Sequence, residues 1–184
     1  MAGDGGRTLG QWVLWIAGVV VTIVTMAYAS LLITSDGLTS EQGTAVQDAV
    51  AVIEEAGLSR EASVLRRVVS YRSSDNWWNR YVGHHPAYAA TNYPFAVVTL
   101  YPAFFRFPVD DVERAVILLH EATHVLGADE ETALRRVWME KGRLGWNEGD
   151  YGSSRVWKNT REWTTAGAPL LFKCGLDGES DCLR

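Results

Sequence analysis

Residues 118 to 131, LLHEATHVLGADEE, bring together side chains that can hold a metal ion and move a proton. His120 and His124 stand four apart, so on a helix both imidazoles leave one face and can reach a single ion. Zinc suits them, because it takes neutral imidazole at about 2.0–2.1 Å and favours tetrahedral coordination. Glu121 lies about 100° round the helix from His120 and need not bind the ion. Its carboxylate can take a proton from water activated there and pass it to a leaving nitrogen, which is metal-assisted hydrolysis. A catalytic zinc needs a third protein ligand and an open fourth position. Asp129, Glu130 and Glu131 follow at once, and Gly127 lets the chain turn sharply enough to bring one of them back. Acids also suit the start of a helix, so one can cap while another ligates. The competing reading is an ordinary helix with two surface histidines. Shuffling this composition gives H-E-x-x-H in about one chain in 180, and the uncharged Ala122 and Thr123, flanked by Leu118, Leu119 and Val125, favour the metal reading.

These residues need a helix to carry them. FPVDDVERAVILLHEATHVLG supplies it, with Asp110 or Asp111 as cap and Val112, Ala115, Val116, Leu119, Ala122, Thr123 and Leu126 at helical spacing. Gly127 ends that helix, and EETALRRVWMEKGR starts the next at Asp129. FAVVTLYPAFF (95 to 105) is β-branched and aromatic until Pro102 and predicts a strand. Upstream, residues 41 to 56 predict a helix with Ala45, Val46, Ala49, Val50 and Ile53 inward. SREASVLRRVVSYR predicts a second helix capped by Ser59. SSDNWWNRYVGHHPAYAATNYP lacks a period and is expected to be a long loop. A last helix is expected from Ser153, with an apolar segment near Leu170. The pattern as a whole is a mainly helical α+β domain with a small sheet.

The stretch from about Val97 to Trp138 resembles the zincin metallopeptidases. H-E-x-x-H-x-x-G-x-x followed by a ligand is similar to the metzincin branch and lands on Glu130, where that branch usually carries His. No Met-turn accompanies it, since Met139 is too near and falls in a predicted helix. The segment also resembles gluzincins, in which a Glu opening the next helix, often in E-x-x-A, completes the site; Glu130-Glu131-Thr132-Ala133 matches. Aspzincins would select Asp129, but their preceding Gly-Thr is missing. The resemblance implies Zn2+ held by His120, His124 and Glu130, with Asp129 and Glu131 as alternatives for the third place. It implies Glu121 as the catalytic base, a peptide or protein substrate, and a strand such as FAVVTLY whose edge pairs with extended substrate. A buried core strand is the other reading of FAVVTLY.

Composition sets the surroundings. The 184 residues are 47% apolar and 21% charged, which is ordinary for a globular chain. The net charge is −5, with no Lys/Arg-rich run, so nucleic acid is not an expected partner. Phosphate-binding glycine loops and internal repeats are absent. Trp12 to Ile33 is almost wholly apolar, long enough to cross a bilayer, and opens with Trp12 and Trp15. This predicts a short cytoplasmic N-terminus (1–11), a transmembrane signal anchor (12–33), a linker (34–43) and a zincin-like domain (44–184). Arg7 before the span and no Lys or Arg after it until Arg60 place that domain outside the cytoplasm. The alternative is a signal cleaved near Ala29, giving a secreted chain. Cys174 and Cys182 flank a turn-prone stretch and fit a disulfide in an oxidising compartment. His84 and His85 read as a solvated loop that could touch substrate or a second ion. Tyr151, an oxyanion-stabilising candidate, reads better as packing, and Trp77, Trp78, Trp146, Trp157 and Trp163 as core or membrane-facing packing. Two functions remain: a membrane-anchored zinc metallopeptidase, or a non-catalytic membrane-anchored binding module of the same shape that holds peptide or protein without cutting it.

Overall fold

The computed structural model describes residues 8–83, 87–174 and 180–183; His84 and His85 lie outside them. It is mainly helical, with one small mixed sheet and one long apolar helix at the N-terminus. That helix, α1 (Leu9–Ile33), starts in a capping box between Thr8 and Gln11 and is exposed from Leu9 through Met26. Its last turns pack on the rest of the chain. Leu31 is buried, and Arg72 donates to the carbonyls of Leu32 and Ser35, a cation placed where helix-end carbonyls gather negative charge. Helix α2 (Ser40–Glu55), capped by Thr39, begins inside the stretch read as linker. It lays Val46, Ala49, Val50 and Ile53 against the core, the face given by its periodicity.

Helix α3 (Ser59–Arg67) is shorter than its sequence predicts. Its N-cap is Leu58, without a side-chain bond, and the chain leaves the helix at Val68-Val69, two β-branched residues that fit a strand better. Strand β1 (Ser70–Arg72) follows. The expected long loop contains helix α4 (Trp77–Val82), capped by Asn76, and strand β2 (Ala89–Asn92). Strand β3 (Val97–Leu100) is only the middle of the predicted strand, because Pro102 opens helix α5 (Pro102–Arg106) at its first turn. The sheet order is β1-β3-β2, with β1 parallel and β2 antiparallel to β3. β3 is therefore central and wholly buried, as the core-strand reading has it. The edge beside the cleft described below belongs to β2.

Helix α6 (Asp111–Val125) crosses the middle of the fold, packing on α2, α3, α7 and β2. Asp110 caps it by accepting from Glu113 N–H at 3.1 Å. Helix α7 (Glu130–Glu140) turns back along α6, and α8 (Glu148–Tyr151) leads to α9 (Arg155–Gly167), capped by Ser154 rather than Ser153. A 3-10 turn (Pro169–Phe172) stands in the apolar segment near Leu170. Trp138 of α7, Trp157 of α9, Trp146 and Phe172 pack together edge-on or tilted, with centroids 4.5–5.9 Å apart. The fully buried Glu113 joins α9 to α6 by accepting from the Ser154 hydroxyl and the Val109 N–H. Cys174 and Cys182 form a disulfide, and Asp181 beside it accepts from Trp138 Nε1 at 3.1 Å and pairs with Lys141. An apolar N-terminal helix and a disulfide together suit a chain that enters the secretory route.

Candidate metal centre

Helix α6 ends where the chemistry begins. Gly127 takes φ +92°, a left-handed conformation that other residues adopt only under strain, and its N–H donates to the His124 carbonyl at 2.8 Å. The reversal presents the Ala128 carbonyl to His124 Nδ1 at 3.1 Å. It also starts α7 so that Glu130 leans back over α6. Asp129 is occupied otherwise, capping α7 by accepting from Thr132 N–H at 2.9 Å. Glu131 is exposed and belongs to no metal-competent group among the described residues. Of the three acids after Gly127, the fold brings Glu130 to the two histidines.

The distances are short. His120 Nε2 and His124 Nε2 are 3.0 Å apart, and Glu130 places Oε2 3.1 Å from His124 Nε2 and Oε1 3.4 Å from His120 Nε2. Ligands at about 2.05 Å from a tetrahedral zinc stand about 3.4 Å from one another, so the three donors nearly span one tetrahedral face. The chemistry of the donors fits too. With the Nδ1 proton of His124 given to the Ala128 carbonyl, its Nε2 presents a lone pair towards the group. Two imidazole nitrogens and a carboxylate then converge as acceptors, a group that could hold a metal ion. Protons can serve partly in its place. Burial disfavours charge on His124, but hydrogen bonds to Glu130 and Ala128 and the nearby Glu121 raise its pKa. The same histidine contacts, outweighing desolvation, hold Glu130 well below the usual carboxylate range.

The group opens on a cleft of about 510 Å³. Val116, Ile117, Leu134 and Trp163 give it apolar walls, and Ala89 to Thr91 of β2 form its edge. Glu121 lines the cleft yet is only 5% exposed. Thr91 Oγ1 donates to its Oε2 at 2.6 Å, while Oε1 has no hydrogen-bond partner among the described residues. Among the described residues one oxygen is thus held and the other is left without a partner, an arrangement suited to receiving a proton. Thr91 and β2 carried no sequence signal, for AATN has neither alternation nor strong strand propensity; antiparallel pairing with β3 makes it a strand. Tyr151 lies elsewhere, donating to the capping carboxylate of Asp110 at 2.7 Å, which fits packing rather than an oxyanion role. Trp146 and Trp157 are core, Trp163 belongs to the cleft, and Trp77 and Trp78 stand exposed on α4. No protein-family model, curated protein or solved structure matches the chain.

Proposed function

We propose that the chain is a membrane-anchored zinc metallopeptidase, with α1 as the anchor and the helical domain on the extracytoplasmic side. The convergence of His120, His124 and Glu130 within 3.0–3.4 Å at the floor of a cleft carries this reading. A zinc ion held by these three would polarise a substrate carbonyl and acidify water. The chain's own residues do the rest. Ala128 orients His124 through its carbonyl, and Thr91 fixes one oxygen of Glu121. The other oxygen of Glu121 takes the proton of the attacking water and delivers it to the departing amine. The apolar walls exclude water and accept apolar substrate side chains, while the outer edge of β2, beside the cleft, can pair with an extended peptide.

Glu121 separates this reading from a module that only holds peptide. Glu121→Gln keeps size and shape but cannot accept the proton. The full chain carrying it should retain zinc and lose hydrolysis of a quenched-fluorescent peptide library. Turnover retained in that variant would remove Glu121 from the mechanism. A parent chain that binds zinc and peptide without cutting any sequence would establish the binding module instead.

A further inference from the structure

Four exposed aromatic side chains lie on and beside α4. Trp77, Trp78, Tyr81 and Tyr93 are 44%, 45%, 80% and 65% exposed, in a fold whose other tryptophans after α1 are mostly buried. Trp77, Trp78 and Tyr81 cluster, with ring centroids 5.5 Å apart for Trp77–Trp78 and 6.0 Å for Trp78–Tyr81, and Tyr93 shares a groove with the two tryptophans. The segment that carries the first three, WWNRYV, has no acidic residue. Solvated helices are rarely built this way, because exposed aromatic area is unfavourable in water.

The cluster is fastened to the foot of α1. Trp77 Nε1 donates to Ser30 Oγ at 2.9 Å, its backbone N–H to Thr34 Oγ1 at 3.1 Å, and Arg80 to the Thr34 carbonyl at 2.6 Å. Trp78 and Tyr93, with Ala27 and Leu31, line a groove of about 440 Å³ at the junction. Near the other end of α1, Trp12 and Trp15 form a second aromatic pair, centroids 6.0 Å apart. From Trp12 to Ser30 the helix rises about 27 Å. A bilayer's hydrocarbon core is about 30 Å thick, and Trp and Tyr gather at both of its faces. The two aromatic clusters are thus one hydrocarbon thickness apart. Tyr28 cannot supply the second belt, since its hydroxyl meets Ser70 and its ring meets Phe95.

We infer that α4 and Tyr93 form the outer aromatic belt of the anchor and seat the domain on the headgroup–acyl boundary of the bilayer. This rests on α1 spanning the membrane. Arg80 beside Thr34 keeps its charge at headgroup level, as long cationic side chains do. The docking has a consequence for the cleft. Thr91 borders both the groove and the cleft, and the Tyr93 hydroxyl lies 3.6 Å from where a Gly127 Cβ would stand. One strand and one turn separate the lipid surface from the metal centre. Polypeptide presented close to the bilayer, such as the juxtamembrane segment of another membrane protein, is the substrate this placement favours.

Tryptophan emission tests it. The full chain, reconstituted in phosphatidylcholine vesicles with or without lipid brominated near the top of the acyl chain, is compared with Trp78→Phe and Trp12→Phe. The emission that Trp78→Phe removes should be quenched by bromolipid by about half or more and shielded from aqueous acrylamide. Trp77→Phe gives the same reading should Trp78→Phe not fold. Emission quenched by acrylamide and not by bromolipid would put α4 in water and overturn the docking; emission quenched by neither would put it under protein and overturn it too. The Trp12 difference tests the anchor separately. Bromolipid quenching of Trp12 but not of Trp78 leaves the span standing and rejects the docking, whereas escape of both rejects the span as well.

Discussion

Replacing Thr91 by valine removes one hydroxyl and nearly preserves side-chain shape. That hydroxyl donates at 2.6 Å to the carboxylate of Glu121, a buried residue at the cleft. A hydrogen bond to a charged group contributes about 1.5–3 kcal/mol. Thr91 makes no hydrogen bond to the three candidate metal donors among the described residues, so its loss should fall on the carboxylate's orientation and not on zinc. At 1.36 kcal/mol per decade of rate, Thr91→Val should lower kcat by roughly 10- to 150-fold. The assay is cleavage of a quenched-fluorescent peptide library by the full chain in detergent, with zinc counted in the same samples. Thr91→Ser, which restores the hydroxyl, should recover most of the rate. In the Glu121→Gln background the valine should remove little more, because both changes act on one proton transfer. An unchanged rate in Thr91→Val, or zinc lost in step with rate, would refute this reasoning.

Other residues make separable predictions. Glu130→Ala should weaken zinc binding by about 100-fold or more, and Glu131→Ala by little, as read by competition with a chromogenic chelator; outer partners of metal ligands alone are worth about 10–100-fold. The reverse order would move the third ligand. Gly127→Ala forces a Cβ into φ +92°, so thermal unfolding should show a loss of about 1–3 kcal/mol, with zinc affinity falling as the Ala128 carbonyl shifts from His124. Asp181 resists burial but is held below its usual pKa by Lys141, the Leu183 N–H and Trp138. A folded pKa below the unfolded one stabilises above about pH 3.9 and ceases to do so as pH falls through the folded value. Asp181→Asn should therefore destabilise at pH 7, and the gap to the parent should close on acidification below about pH 4 in denaturant melts.

The helix bearing His120, Glu121 and His124 was legible because its apolar spacing, its capping acid and its terminal glycine agree. Glu130 was legible as one of three acids, and capping chemistry separates it from Asp129. The sheet was harder. β1 follows α3 after only two residues, so SYR reads as the helix's last turn until parallel pairing with β3 is seen. AATN becomes a strand only through its neighbour, which hid the edge of the cleft and with it Thr91. The zincin resemblance gave FAVVTLY the edge role beside the core-strand alternative, yet the most apolar strand of a three-stranded sheet belongs in the middle, where both of its faces and both of its edges are covered. The hold of α4 on α1 joins residues more than 40 apart, and nothing in local sequence encodes such a contact.

The metal content of the purified full chain tests the central claim most directly. In detergent and in zinc-supplemented, chelator-free buffer, the parent should hold about one zinc per chain, and His120→Ala, with the same helical circular dichroism, should hold none. A folded, disulfide-bonded parent that takes up no zinc would contradict the account and reduce His120, His124 and Glu130 to a hydrogen-bonded helix end.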